Sequence, residues 1–201
     1  MPIRNEELGI QREELSVKSR ACVAEKEGGK RLYVIGGPMG VGKTTACRQL
    51  QQLLDRSVFL DGDWCWDAHP FQATEETREM VLENISFLLD NFLRCSAYDH
   101  VIFCWVLHRR EIWADLLRRL TEPYALRAVS LVCTPEALRS RLEGDIRAGK
   151  RTPDVLDRSL AYLPLYEALD VRRLDVTDLT PRETAEQILK QAAATEKERE
   201  P

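Results

Sequence analysis

Nowhere in the chain do about 18 apolar residues follow one another, the length a bilayer-crossing helix needs, so no membrane span is expected. The six cysteines, at 22, 47, 65, 95, 104 and 133, form no C-x-x-C pair. Cys47, Cys104 and Cys133 fall inside apolar patterns, where a thiol behaves as a small hydrophobe, so they read as reduced core residues. A large charge of either sign is also lacking: 29 Lys and Arg face 33 Asp and Glu, giving a formal net charge of −4. That balance removes the broad electropositive footprint of a protein that holds long nucleic acid. The opening Met1-Pro2-Ile3-Arg4-Asn5-Glu6-Glu7 has no apolar h-region, so secretion is not expected and the cytoplasm is the expected compartment.

What is present suits one substantial core. The 201 residues are 44% hydrophobic and 31% charged, enough for a single domain carrying a lid or an extension. Residues 3–27 are charge-rich, with Leu8, Leu15 and Cys22 spaced by seven, and Gly28-Gly29 marks a boundary. The expected organisation is a helical extension over 1–28, a core domain over 29–194 and a frayed tail over 195–201. A monomer or a homodimer is compatible with this composition.

The chain is organised around Leu32-Tyr33-Val34-Ile35-Gly36-Gly37-Pro38-Met39-Gly40-Val41-Gly42-Lys43-Thr44-Thr45. Gly37, four residues and then Gly42-Lys43-Thr44 form a P-loop: glycines let successive backbone N–H groups turn inward, and a helix begins with its positive end toward the anion. An apolar run leads in, and apolar positions 46, 50, 53 and 54 lead out at helical spacing, which is the strand–loop–helix setting the motif requires. Gly37, Pro38, Met39, Gly40, Val41, Gly42, Lys43, Thr44 and Thr45 are therefore expected to hold a nucleoside triphosphate. Lys43 is expected to reach the β- and γ-phosphates, and the Thr44 hydroxyl to ligate Mg²⁺.

A second strand, Ser57 to Leu60, ends in Asp61-Gly62-Asp63-Trp64-Cys65-Trp66. Two carboxylates one residue apart at that end of a strand sit where an open α/β sheet places its ligand crevice. Asp61 and Asp63 are expected to point to similar sides. Thr74 reads as the N-cap of a long helix whose stripe, Met80, Val81, Ile85, Leu88, Leu89 and Phe92, is core. The continuous apolar run Val101 to Leu107 reads as a strand buried on both faces, with His108-Arg109-Arg110 on the crevice side. A helix from Glu111 to Leu120, a strand from Leu126 to Val132 and a helix opened by Thr134-Pro135-Glu136 follow. Arg139, Arg141, Arg147, Lys150, Arg151 and Arg158, broken by Gly144, Gly149 and Pro153, make a basic segment suited to a lid over about 144–158. Val171 to Val176 is a fifth strand, and Thr180-Pro181-Arg182-Glu183 opens a last helix.

This order of elements resembles the P-loop kinase superfamily of small α/β phosphotransferases: the adenylate, shikimate, gluconate and adenylylsulfate kinase families, the chloramphenicol phosphotransferases and AAA-type nucleotide kinases. The likeness spans roughly residues 31–192 and rests on Gly-Pro-Met-Gly-Val-Gly-Lys-Thr, Leu60-Asp61-Gly62-Asp63, Pro135-Glu136-Ala137-Leu138-Arg139-Ser140-Arg141-Leu142, the lid-like arginines and Asp175-Val176-Thr177. It implies an α/β three-layer sandwich: a five-stranded parallel sheet of order 2-3-1-4-5, helices on both faces and a lid. ATP and Mg²⁺ are the implied cofactors and a small molecule the implied phosphoryl acceptor. By the same resemblance Asp61 helps position Mg²⁺ through water, and Asp63 contacts the acceptor and takes its proton. Arg147 and Arg151 are the implied lid cations, Arg141 ranks behind them because it reads also as helix-stabilising, and Thr177 lies near the adenine.

The third strand lacks the Asp-Gly-x-Pro turn of nucleoside monophosphate kinases and has Trp105-Val106-Leu107-His108 instead, which weighs against a nucleotide as acceptor. Trp64, Trp66, His69, Phe71 and Trp105 are expected to line the acceptor pocket, with Arg78, His108 and Arg109 at its edge; Trp105 reads as core before it reads as pocket wall. Such walls suit a planar or partly apolar molecule, such as a nucleoside, nucleotide or antibiotic. An NTP-binding regulatory switch with no small-molecule acceptor is the competing reading, and a polynucleotide-end kinase is disfavoured by the acidic balance.

Overall fold

The computed structural model describes residues 29–197; the expected extension over 1–28 and the last residues of the tail lie outside them. Five strands, β1 (Arg31–Gly36), β2 (Ser57–Asp61), β3 (His100–Cys104), β4 (Ala125–Val132) and β5 (Arg173–Asp175), form one parallel sheet of order β2-β3-β1-β4-β5. Six helices join them: α1 (Lys43–Leu53), α2 (Glu75–Arg94), α3 (Arg110–Arg119), α4 (Pro135–Arg147), α5 (Val155–Tyr162) and α6 (Pro181–Lys197). Each connection between parallel strands needs a crossover, and helices supply it on both faces.

The period-2 alternation of the central strands divides the interior into two cores. Tyr33, Ile35, Ile102 and Cys104 pack with Leu50 of α1 and Ile188 of α6, while Leu32, Val34, Val101 and Phe103 pack with Ile85 of α2 and Trp113 of α3. Both sets are nearly sealed from water, which is why β1 and β3 read as unbroken apolar runs. The same alternation puts Asp61 on the side of Phe59, the α1 side, so the last residue of β2 is delivered to the start of α1.

Several elements differ from expectation. β3 stops at Cys104: Trp105 N–H donates to Ile35 C=O (3.2 Å), Gly37 N–H to Val106 C=O (3.4 Å), and Leu107 takes a left-handed φ of 41°, which turns the chain out of the sheet. β5 has shrunk to Arg173–Asp175. Residues 155–162, expected within and beyond the lid, form α5, followed by a 3₁₀ turn over Leu163–Tyr166. The helices have local reasons to start: Thr74 and Thr77 form a reciprocal capping box on α2, and Thr134 caps α4 ahead of Pro135. Among the described residues no helix is long and apolar enough to cross a membrane.

Candidate active site

The phosphate loop is built from backbone. Gly37, Gly40 and Gly42 have φ of 147°, 82° and 105°, values that side chains rarely tolerate. At Gly40 a Cβ would also lie 2.4 Å from Leu142 Cδ2, so α4 packs directly against the loop. Lys43 folds over the loop, its Nζ donating to Gly37 C=O (2.8 Å) and Pro38 C=O (3.0 Å). Burial of the ammonium lowers its pKa from the ordinary lysine value, while Asp63 and Asp61 pull the other way. Arg141 ties the loop to the far side of the sheet: its guanidinium donates to Val41 C=O (3.1 Å) and to the C=O of Val176 (2.6 Å) and Thr177 (2.9 Å). That placement is a brace between α4, the loop and the end of β5.

Across the loop stands the exit of β2. Thr44 Oγ1 donates to Asp61 Oδ2 (2.6 Å), and Asp61 Oδ1 accepts from Asp63 N–H (3.1 Å). Hard oxygen donors on a phosphate loop are what Mg²⁺ takes, since it keeps several waters and uses few protein ligands alongside substrate phosphates. Among the described residues no group of three or more His, Cys, Asp or Glu could hold a metal unaided.

Asp63 sits in a 3₁₀ turn over Gly62–Cys65, and Trp105 Nε1 donates to its Oδ1 (3.1 Å). The residue is exposed by area, yet its carboxyl group is crowded, and that desolvation, followed by repulsion from Asp61, raises its pKa above the ordinary carboxylate value. Lys43, the Trp105 hydrogen bond and Arg151 act in the opposite direction. Gly62 is required here: a Cβ would meet Trp105 Cγ at 2.6 Å.

The structure brings together some expected pocket residues and separates others. Trp66 meets Trp105 edge-on (5.8 Å between centroids) and Phe71 edge-on (4.8 Å), forming an aromatic wall beside Asp63. Trp64 departs from the expectation: it packs on Phe59 (5.3 Å) beneath Arg48, whose guanidinium lies 5.1 Å from the Trp64 ring, on the α1 side of the sheet and away from that wall. The 3₁₀ turn accounts for this, because three residues per turn carry Asp63 and Trp66 to one side and Trp64 to another. His69 and Arg78 are exposed, on the segment before α2 and in its first turns, and among the described residues neither makes a hydrogen bond, ion pair or ring contact with Asp63 or Trp105. His108 stacks flat on Tyr162 of α5 (4.3 Å, 7°), and its Nδ1 is buried without a hydrogen-bond partner. Desolvation and then Arg109 lower its pKa, which favours the neutral ring.

Of the two arginines expected as lid cations, Arg151 pairs with Asp145 (3.2 Å) and lies close enough to lower the pKa of both Lys43 and Asp63, whereas Arg147 is exposed at the end of α4. Thr177 caps the end of β5, its Oγ1 donating to Asp175 (2.6 Å) and accepting from Thr134 N–H (3.0 Å). Sequence reasoning missed Tyr162 and Tyr166. Tyr166 is fully buried, and its hydroxyl donates to Val106 C=O and meets Gly37 N–H, joining the segment after α5 to the phosphate loop. Two tyrosines four apart on a short helix and its continuation were the available signal.

Sheet order, glycine-shaped loop and the Thr44–Asp61 contact together define a P-loop domain with the fold of the small-molecule kinases. The chain belongs to the AAA domain family, whose profile matches residues 34–158. Among solved structures, it is similar to the tunicamycin resistance protein of Deinococcus radiodurans at 20% identity, covering 81% of this chain and 95% of that one, with a TM-score of 0.61. A gluconokinase from Sinorhizobium meliloti is similar at 20% identity over 85% and 95% of the two chains, TM-score 0.61. The shikimate kinase of Acinetobacter baumannii, solved with shikimate, is similar at 22% identity over 83% and 94%, TM-score 0.54. No curated protein sequence matches the chain.

Proposed function

We propose that the protein is an ATP-dependent small-molecule phosphotransferase acting on a hydroxyl of an aromatic or nucleoside- or nucleotide-like acceptor. The observation that carries this reading is the Thr44–Asp61 hydrogen bond, which ties the phosphate loop to the β2 exit and supports Asp63, bonded to Asp61 through its backbone N–H, as the group facing the transferring phosphoryl. Phosphoryl transfer asks a protein mainly to position reactants and neutralise charge. Gly37–Thr45 cradle the triphosphate through backbone N–H groups, and Lys43 swings from its carbonyl partners onto the β- and γ-oxygens. Thr44 and Asp61 would hold Mg²⁺, which would offset charge on the phosphates. The acceptor oxygen attacks phosphorus, the bond to the β–γ bridging oxygen breaks, ADP leaves and the acceptor's proton passes to Asp63. Arg151 is the lid cation best placed to meet the transferring group.

The aromatic wall of Trp66, Phe71 and Trp105 supports a planar or partly apolar acceptor, with His108 as a neutral polar contact at its edge. The test is ADP release from Mg-ATP across a panel of nucleosides, nucleotides, sugars and antibiotics, with Lys43→Ala as control. Turnover stimulated by a small molecule and lost in Lys43→Ala is expected. Stimulation by a protein partner alone would replace this reading with a regulatory ATPase.

A further inference from the structure

Trp105 occupies an unusual junction. Its backbone N–H is bonded to Ile35 C=O (3.2 Å), on the strand that feeds the phosphate loop, and its indole N–H is bonded to Asp63 Oδ1 (3.1 Å), on the opposite wall of the crevice. The residue is 8% exposed, its ring held edge-on by Trp66 and pressed against Gly62, where no side chain fits. Asp63 Oδ2 accepts no hydrogen bond from any described residue.

We infer that Trp105 is a positioning residue: its indole N–H holds one oxygen of the Asp63 carboxylate in register with the phosphate loop and leaves the other to meet the acceptor hydroxyl. A carboxylate on a short turn would otherwise rotate freely, and a hydrogen bond to a charged acceptor is strong enough to select one orientation. The inference rests on Asp63 as the proton acceptor of the proposed reaction.

The test uses the full chain at pH 7. The indole ¹⁵N–¹H signal of Trp105 is compared by NMR in the native protein and in Asp63→Ala, and steady-state transfer from Mg-ATP is compared in the native protein and in Trp105→Phe. The indole signal is expected downfield and slow to exchange with solvent in the native protein, and to move upfield and exchange faster in Asp63→Ala. Trp105→Phe is expected to lower kcat by about 10-fold, the loss of one hydrogen bond to a charged acceptor, while the KM for ATP is unchanged. An indole signal the same in the two proteins, or kcat unchanged in Trp105→Phe, overturns the inference; should Trp105→Phe fail to fold, the native and Asp63→Ala spectra decide it. Turnover unaffected by Asp63→Asn would instead remove the base reading while the indole–carboxylate coupling stood, so the two failures are separable.

Discussion

The two walls of the crevice are made in different ways. The phosphate wall is local and largely backbone: Gly37 to Thr44 form one continuous segment, shaped by positive φ at glycines and closed by Lys43 on its own loop carbonyls. The wall proposed for the acceptor is a composite of side chains from β2's exit, β3's exit and α5, held by Trp105–Asp63, Trp66–Trp105 and His108–Tyr162 contacts. A backbone site recognises what every substrate of the fold class shares, a polyphosphate. A side-chain site can vary one residue at a time, so under the proposed function the second wall is where specificity is set.

The largest expected effects break the phosphate wall. Lys43→Ala should lower kcat by about 10²-fold or more, in line with removal of one preorganised electrophilic group. Gly40→Ala should abolish nucleotide binding in equilibrium dialysis with ATP, because φ of 82° and the 2.4 Å approach to Leu142 leave no room for a Cβ.

Next come changes that separate the walls. Asp63→Asn should lower kcat by about 10²-fold while the KM for ATP stays within about twofold. Activity on a hydroxyl acceptor should also fall as pH drops through a midpoint above the usual aspartate range, since Asp63 must be ionised and its pKa is raised. The sign for stability is the reverse. A carboxylate with a raised folded-state pKa binds its proton more tightly folded than unfolded, so its stability contribution declines as pH rises from the unfolded value to the folded one. Asp63→Asn should therefore melt higher than the native chain at pH 7, with the gap closing toward pH 4, as seen by calorimetry.

The smallest effect sharpens the comparison at the seam. Tyr166→Phe deletes the hydroxyl shared by Val106 C=O and Gly37 N–H. The cost should be about 1 kcal/mol, a drop in Tm of roughly 2–4 °C for a chain this size, with a rise in the KM for ATP.

The same contrast explains what the sequence disclosed. The phosphate loop was legible because its geometry follows from glycine spacing alone, and the sheet order followed from the resemblance it anchored. The central strands were legible because burial on both faces leaves continuous apolar text. The exit of β3 was not: Trp105-Val106-Leu107 prolongs the apolar run, and nothing local signals that Leu107 turns left-handed to let Val106 meet the loop. Nor was the direction of Trp64, since only the 3₁₀ turn over Gly62–Cys65 decides which aromatic follows Asp63 into the crevice. Helix α5 was obscured by the basic, proline-interrupted stretch that precedes it, and its role depends on the packing of Tyr162 and Tyr166 against residues far away in the chain.

The most direct measurement pairs ATP binding with single-turnover transfer in the native protein and in Asp63→Asn, using an acceptor from the panel. The account predicts unchanged affinity for Mg-ATP in both and phosphorylated acceptor formed rapidly only by the native chain. Equal transfer rates in the two proteins, or loss of ATP binding in Asp63→Asn, would contradict it.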